Sequence, residues 1–204
     1  MDRMIVYVDG FNLYHGLHDK ARCHWLWLDV VKLAQSLRPR SSIDLVRYFT
    51  ANVLGQPEAQ GRQQTYLNAL TAVNGSRISI VHGRYQEKTQ WCRTCGATWK
   101  VREEKETDVN IAVSLVADAA RDAMDAALII SADSDLAPAV RAARDIRPGL
   151  YVAAAFPPDR FSAELKALMP GSFHIGASKI RRSFLPEVVN DGVNQFVRPP
   201  KWNP

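Results

Sequence analysis

Residues 4–10 of this 204-residue chain read MIVYVDG, a run of five apolar residues that ends in Asp9 and Gly10. A short apolar run followed by turn-forming residues is typical of a strand that is buried on both faces. A second run, AALII at residues 126–130, is followed by SADSD at residues 131–135. We therefore predict two central strands, each with acidic residues directly after it.

The rest of the chain alternates between strand-like and helix-like patterns. Apolar residues recur at helical spacing in some segments, and β-branched and aromatic residues concentrate in others. Alternation of this kind predicts an α/β fold with a central, mostly parallel sheet flanked by helices. The predicted helices cover 29–37, 57–73, 107–124, 134–144 and 162–169, and further strands are predicted at 43–53, 77–85, 150–156 and 173–176.

The composition excludes several classes of protein. Hydrophobic residues make up 47% and charged residues 23% of the chain, which excludes a disordered tail protein or a collagen-like fibre. The net charge of +5 is compatible with a nucleic-acid partner but is weak support for one. With three cysteines and no long apolar stretch, we expect a reducing, cytoplasmic location and no membrane span.

Four aspartates fall where a parallel sheet would bring side chains together. Asp9 follows the first strand, Asp133 and Asp135 follow the strand at 126–130, and Asp108 opens the helix predicted from residue 107. Ligands in such folds bind at the carboxyl ends of strands, near the switch in strand order. Structural alternatives stay open: Asp9 starts a turn, Asp135 caps the next helix, and Asp108 is a first-turn acid favoured by the helix dipole.

Converging carboxylates repel one another, and a divalent cation relieves that repulsion. Hard oxygen ligands without histidine favour Mg²⁺ or Mn²⁺ over Zn²⁺. Such sites support hydrolysis of phosphodiesters, in which metal ions activate a water and stabilise the attacking and leaving oxygens. Asn12, three residues after Asp9, is a candidate to hold a metal-bound water or a phosphate oxygen.

Three motifs, taken together, resemble the NYN family of PIN-like nucleases, the low-amplitude-bright and DUF88 group. They are VDGFNL at 8–13, EKETDV at 104–109 and ISADSDLAP at 130–138. Ala132 stands where a glycine is common in the family, a change that a turn tolerates. The resemblance implies a PIN-like three-layer α/β fold, a Mg²⁺ or Mn²⁺ site and metal-dependent hydrolysis of RNA.

The resemblance also assigns roles residue by residue. The alternative to a nuclease is an RNA-binding or regulatory protein that keeps the acidic pocket without turnover. A phosphatase or phosphotransferase with a nucleophilic Asp9 is a weaker hypothesis, because the second aspartate that haloacid-type enzymes use two residues later is missing. Catalytic and metal-binding roles fall on Asp9, Asp108, Asp133 and Asp135, and substrate-binding roles fall on Asn12, Lys105 and Ser131.

Cys92 and Cys95 form a CxxC motif that looks like half of a zinc ribbon. A complete zinc site needs two more ligands, which Cys23 with His24, or His82, or a second chain would supply. Because two ligands make a poor zinc site, a metal-free knuckle or a pair of free thiols is the favoured interpretation, with Zn²⁺ as the lesser alternative. A homodimer is a further possibility.

The domain organisation follows from these patterns. We expect one NYN domain over residues 1–178, with the cysteine pair on a knuckle-like insertion at 88–104. Residues 179–204 hold five basic and two acidic residues together with four prolines. This segment is predicted to be a basic tail that wraps the surface or is loose.

Overall fold

The computed structural model describes residues 3–203, except for the side chains of residues 85–87 and 101–105. The strands are β1 (Arg3–Asp9), β2 (Ser42–Thr50), β3 (Ile78–His82), β4 (Arg84–Trp91), β5 (Thr98–Lys105), β6 (Ala126–Ile130), β7 (Tyr151–Phe156), β8 (Phe173–His174), β9 (Val188–Asn190) and β10 (Gln195–Val197). The helices are α1 (Gly10–Ala21), α2 (Val30–Leu37), α3 (Pro57–Asn74), α4 (Thr107–Ala120), α5 (Ala137–Ile146), α6 (Ala163–Leu168) and α7 (Ala177–Arg181). Short 3₁₀ turns lie at Arg22–Trp25, Gly75–Arg77, Ser134–Leu136 and Pro200–Trp202.

Six strands form one parallel sheet in the order β3-β2-β1-β6-β7-β8. The chain builds outward from β1 to β3 and then returns to the other side of β1 with β6. The strand order therefore reverses between β1 and β6, and ligands bind in the crevice at such a switch point. Val8 pairs with Ile130, so Asp9 and Ser131 come side by side at this edge.

The sheet is covered by helices on both faces. Side chains of β1 alternate between the two sides: Met4, Val6 and Val8 enter one core cluster, and Ile5 and Tyr7 enter the other. The first cluster includes apolar residues of α1, α2 and α3, and the second includes those of α4, α5 and α6. Burial on both faces explains why the central strands are continuous apolar runs. The predicted three-layer α/β class is confirmed.

Several element boundaries differ from the sequence prediction. The turn expected after the first strand is absent, because α1 begins directly at Gly10 with Asp9 as its cap. The helix expected over 107–124 ends at Ala120, and Asp122 has a left-handed φ of 53°. The strand expected over 77–85 ends at His82, and β4 begins two residues later.

Two segments lie outside the central sheet. β4 and β5 form an antiparallel hairpin of their own, with the cysteine pair at its turn. The segment after α7 packs on the domain through Trp202, which is 8% exposed and lies 6.3 Å from the Trp27 ring and 5.9 Å from the Tyr66 ring. Within residues 3–203, no helix combines the length and the apolar character that crossing a bilayer requires.

Candidate functional site

Asp9, Asp108 and Asp133 converge at the carboxyl edge of the sheet. Each offers one carboxylate oxygen, and the three oxygens lie within 4.8 Å of one another. They come from three different elements: the end of β1, the first turn of α4 and the loop after β6. In the described part of the chain this is the one group of three or more side chains suited to hold a metal ion. We call it the acid group.

Asp9 is the buried member of the acid group, with 3% of its surface exposed. Its Oδ1 accepts a hydrogen bond of 2.9 Å from the backbone N–H of Asn12 and so caps α1. Its Oδ2 accepts a hydrogen bond of 2.8 Å from the hydroxyl of Ser131. The carboxylate is therefore held at both oxygens, at a helix N-terminus where negative charge is favoured.

The side chain of Asn12 joins the loop after β6 to α1, and the side chain of Ser131 holds the loop from within. Asn12 Oδ1 accepts from the N–H of Ala132 at 3.0 Å, and Ser131 Oγ accepts from the N–H of Asp133 at 3.0 Å. Ser131 is fully buried, so its hydroxyl lies behind the acids rather than on the crevice surface. Among described residues, Asn12 Nδ2 has no hydrogen-bond partner, so this amide remains able to donate. The geometry gives both residues a positioning role.

Asp133 and Asp135 differ in their contacts and in their exposure. Asp133 Oδ1 accepts from the N–H of Asp135 at 2.9 Å and caps the 3₁₀ turn that follows. The alternative in which Asp135 caps the following helix is therefore wrong, because Asp133 caps the 3₁₀ turn and α5 has Leu136 at its N-cap with no side-chain cap. Asp135 is exposed and does not belong to the acid group. The side chain of Lys105, at the end of β5, lies outside the described residues.

Asp108 is exposed, and its position depends on how α4 is anchored. Asp118, ten residues later on α4 and about 15 Å along the axis, is 3% exposed. It accepts two hydrogen bonds of 2.9 Å from the Arg47 guanidinium on β2 and one of 2.8 Å from the Tyr7 hydroxyl on β1. Burial, together with the Asp118 charge, raises the pKa of Tyr7, so its hydroxyl stays protonated and donates.

Sequence reasoning missed this anchor, although two signals were present. Arg47 interrupts an apolar strand, where a charged side chain needs a partner. Asp118 lies about 20° from Ile111 on a helical projection of α4, on the buried side of the helix. Together these positions indicate a buried ion pair, although they do not show which elements it joins.

The donor set of the acid group fits a hard divalent cation. It offers carboxylate oxygens and contains no nitrogen or sulfur donor. Oxygen-only sites of this kind suit Mg²⁺ or Mn²⁺ rather than Zn²⁺. The closeness of three acids is itself unfavourable without a cation, because like charges at this distance repel. Asp9, Asp108 and Asp133 are therefore the residues that would hold a divalent metal.

A cavity of about 370 Å³ lies between α1, α3 and the segment around Trp202. Its wall is rich in aromatic side chains, among them Phe11, Tyr14 and Tyr66. Arg62 and Lys201 add two cationic side chains. The cavity thus combines flat apolar surfaces with positive charge.

Gly10 and Tyr48 line the cavity at the side near Asp9. A Cβ on Gly10 would lie 2.5 Å from the carbonyl oxygen of Phe49 and 3.0 Å from the Tyr48 ring, so α1 starts this close to β2 only with glycine there. Burial and the nearby Asp9 charge raise the pKa of Tyr48, which keeps its hydroxyl protonated. Sequence analysis identified neither residue as part of the site.

Cys92 and Cys95 lie in the turn between β4 and β5, away from the core. The N–H groups of Cys95 and Thr94 point at the Cys92 thiol and lower its pKa to about 7. Within the described residues, the pair has no third cysteine, histidine or carboxylate close enough to form a metal group. The suggestions that Cys23 with His24, or His82, completes a zinc site are therefore wrong.

Comparison with known proteins gives a family and one curated relative. The family model described as NYN domain matches residues 3–175. The chain is also 26% identical over 239 aligned positions to the 6-hydroxy-3-succinoylpyridine 3-monooxygenase of Pseudomonas putida, covering 98% of this chain and 75% of that protein.

Proposed function

This chain belongs to the NYN domain family, and on that premise we propose that it is a metal-dependent endoribonuclease that hydrolyses RNA phosphodiester bonds. The family is one of PIN-like nucleases, and the parallel sheet flanked by helices agrees with that fold. The observation that carries the proposal is the acid group, in which three elements bring carboxylates to the switch point of the sheet. Phosphodiester hydrolysis is the chemistry that such a carboxylate cluster supports.

Asp9, Asp108 and Asp133 are the proposed ligands of one Mg²⁺ or Mn²⁺. A cation bound there supplies Lewis-acid activation of water and stabilises the charge that develops on the scissile phosphate. Asn12 and Ser131 hold Asp9 and the loop of Asp133 in place through their hydrogen bonds.

Two further residues have proposed roles at the entrance of the crevice. Asp135 is exposed close to Asp133 in the chain, and we assign it the orientation of the attacking water. Lys105, three residues before Asp108, is assigned a contact with a substrate phosphate. Both assignments predict lower cleavage on neutral substitution, with Lys105→Ala weakening RNA binding and Asp135→Asn slowing turnover.

The test is cleavage of single-stranded RNA with Mn²⁺ by the wild type and by Asp9→Asn and Asp133→Asn. Loss of an outer-shell partner of a metal costs roughly 10–100-fold, so loss of a ligand is expected to cost more. Asp122→Asn is the matched control, because Asp122 is 73% exposed and lies at the opposite edge of the sheet. Cleavage that resists EDTA or survives both substitutions contradicts the proposal. RNA binding by the wild type without cleavage supports the regulatory alternative.

The cavity favours a second candidate function, the binding of a small aromatic acid. Its aromatic walls suit a flat ring, and Arg62 and Lys201 suit a carboxylate. The curated relative is named for a substituted pyridine that carries a succinoyl group. Calorimetric titration with 6-hydroxy-3-succinoylpyridine tests this candidate, with binding weakened by Arg62→Ala and unchanged by Arg77→Ala, an exposed control. An absence of binding heat rejects it and leaves the nuclease proposal unaffected.

We also propose a cytoplasmic location. The odd number of cysteines, three, does not build a disulfide framework, which favours a reducing compartment. Fractionation of cells that express the full chain tests this, and recovery with the membrane or secreted fraction contradicts it.

A further inference from the structure

The turn at the tip of the β4–β5 hairpin holds two cysteines, which is half the number of ligands in a structural zinc site. The N–H of Cys92 donates to the carbonyl of Ala97 at 2.8 Å, and the N–H of Gly96 donates to the carbonyl of Cys92 at 2.9 Å. Gly96 has a φ of 70°, a conformation that favours glycine. Two cysteines separated by two residues in a tight turn are the unit with which zinc ribbons place two thiolates on one metal.

Among the residues that the structure describes, no side chain supplies the two missing ligands. β4 is eight residues long, so at about 3.3 Å per residue the tip lies about 25 Å from the base of the hairpin, where His82 and the acid group are. Cys23 lines the cavity between α1 and α3. Within the described residues, no third cysteine, histidine or carboxylate joins the pair. A second molecule must therefore supply the rest of the coordination.

We infer that Cys92 and Cys95 bind one Zn²⁺ together with the same two cysteines of a second copy of this chain. A two-fold axis through the metal turns two thiolates into four, which is the closed tetrahedral set of a structural zinc site. The predicted stoichiometry is half a zinc ion per chain. The tip is accessible for such a contact, because every residue from 91 to 100 except Cys92 is exposed.

The charge of the tip fits this arrangement. A Zn²⁺ ion with four thiolates carries a net charge of −2, and residues 88–100 of each hairpin hold three basic residues, Lys88, Arg93 and Lys100, and no acidic one. Without the metal, the two turns have no shared ion to hold them together. The contact is therefore metal-dependent rather than permanent.

Two exposed tryptophans flank the turn and provide a spectroscopic readout. Trp91 is 66% exposed and Trp99 is 47% exposed. The pairing of Trp91 with Thr98 and of Gln90 with Trp99 puts the two rings on opposite faces of the hairpin. A contact between two tips lies beside both rings, so their fluorescence is expected to change when zinc is added.

The experiment is a zinc titration of the full, metal-free chain, followed by light scattering during size-exclusion chromatography. The expected result is a doubling of mass that is complete at half an equivalent of zinc per chain and is reversed by a chelator. Cobalt in place of zinc is expected to give the intense visible bands of tetrahedral thiolate coordination. Cys92→Ser and Cys95→Ser are expected to abolish both the dimer and the binding of half an equivalent of zinc per chain. Cys23→Ser is the control that keeps the dimer and this zinc binding.

Two outcomes overturn the inference. A monomer that binds one zinc ion per chain through Cys92 shows that the second copy is not needed. A mass that does not respond to zinc, or zinc binding that is unchanged in Cys92→Ser, shows that the turn is not the site. Asp133→Asn is expected to leave the dimer intact, which separates the turn from the acid group. No RNA is used, so this result stands apart from the test of nuclease activity.

Discussion

The acid group and the cysteine turn are both candidate metal sites, but the protein builds them in opposite ways. Asp9 is buried at the end of a central strand, with both oxygens hydrogen-bonded to α1 and to the loop after β6. Cys92 and Cys95 lie on an exposed hairpin whose two strands and turn are joined by backbone hydrogen bonds. The first site is preorganised by the core of one chain, whereas the second needs another molecule to complete it. Substitutions near the two sites should therefore differ in their effect on stability.

The largest effect is expected from Asp118→Ala, which removes the anchor of α4. The change leaves Arg47 without its carboxylate and Tyr7 with only the weak sulfur acceptor of Met124, and loss of one partner of a buried ion pair costs about 3 kcal/mol or more of unfolding free energy. Urea denaturation followed by circular dichroism measures it. The exposed Asp44→Ala is the control, with a change within about 0.5 kcal/mol. A loss equal to that of the control would mean that α4 is held by apolar packing alone.

Ser131→Ala is expected to have the next largest effect. Asp9 loses a buried donor and Asp133 loses the acceptor of its N–H, which costs about 1–3 kcal/mol of unfolding free energy. The rate of RNA cleavage should fall as well, because Asp9 and Asp133 are no longer held in their positions relative to each other. The same denaturation series measures stability, and the exposed Ser134→Ala is the control. A variant as stable and active as this control contradicts the positioning role of Ser131.

The cysteine turn should instead be detectable through the chemical reactivity of its thiols. The pKa of Cys92 is lowered to about 7 by the N–H groups of Cys95 and Thr94, and the thiolate is the reactive form. Alkylation by iodoacetamide in metal-free protein should rise about tenfold per pH unit below 7 and level off above it. Mass spectrometry of the Cys92 and Cys23 peptides gives the two rates in one sample. A Cys92 rate that still rises steeply above pH 8.5 rules out the lowered pKa.

The smallest effect is expected at Glu106, where the hairpin joins α4. Glu106 has a φ of 78°, a left-handed backbone conformation. For a residue with a side chain this conformation lowers the unfolding free energy by roughly 1–2 kcal/mol. Its exposed ion pair with Arg84 contributes less than that, so Glu106→Gly should raise the unfolding free energy by about 1 kcal/mol. Arg84→Ala removes the ion pair without relieving the backbone and should give a small loss. A less stable Glu106→Gly variant would show that the ion pair outweighs the strain.

Most of the acid group could be predicted from local sequence, because parallel strands place their carboxyl ends at the same edge of the sheet. The runs before Asp9 and Ser131 are apolar on both faces, and that pattern alone predicts central strands with acids after them. The choice between Asp133 and Asp135 was not predictable, because two identical residues two positions apart compete for one cap. The anchor of Asp118 escaped prediction because Arg47 lies 71 residues away in sequence, and their meeting depends on strand order. The position of Trp202 against Trp27 likewise depends on packing rather than on any local pattern.

The strand order also sets the time at which the site appears during synthesis. The hydrogen bond between Asp9 and Ser131 joins residues 122 positions apart. At about 5–20 residues per second, β1 is synthesised roughly 6–25 s before its neighbour β6. During this interval the nascent chain has Asp9 but neither the serine that orients it nor Asp133. A ribosome-bound fragment therefore lacks an assembled acid group, and if the protein cleaves RNA, it does so only after most of the chain has been translated.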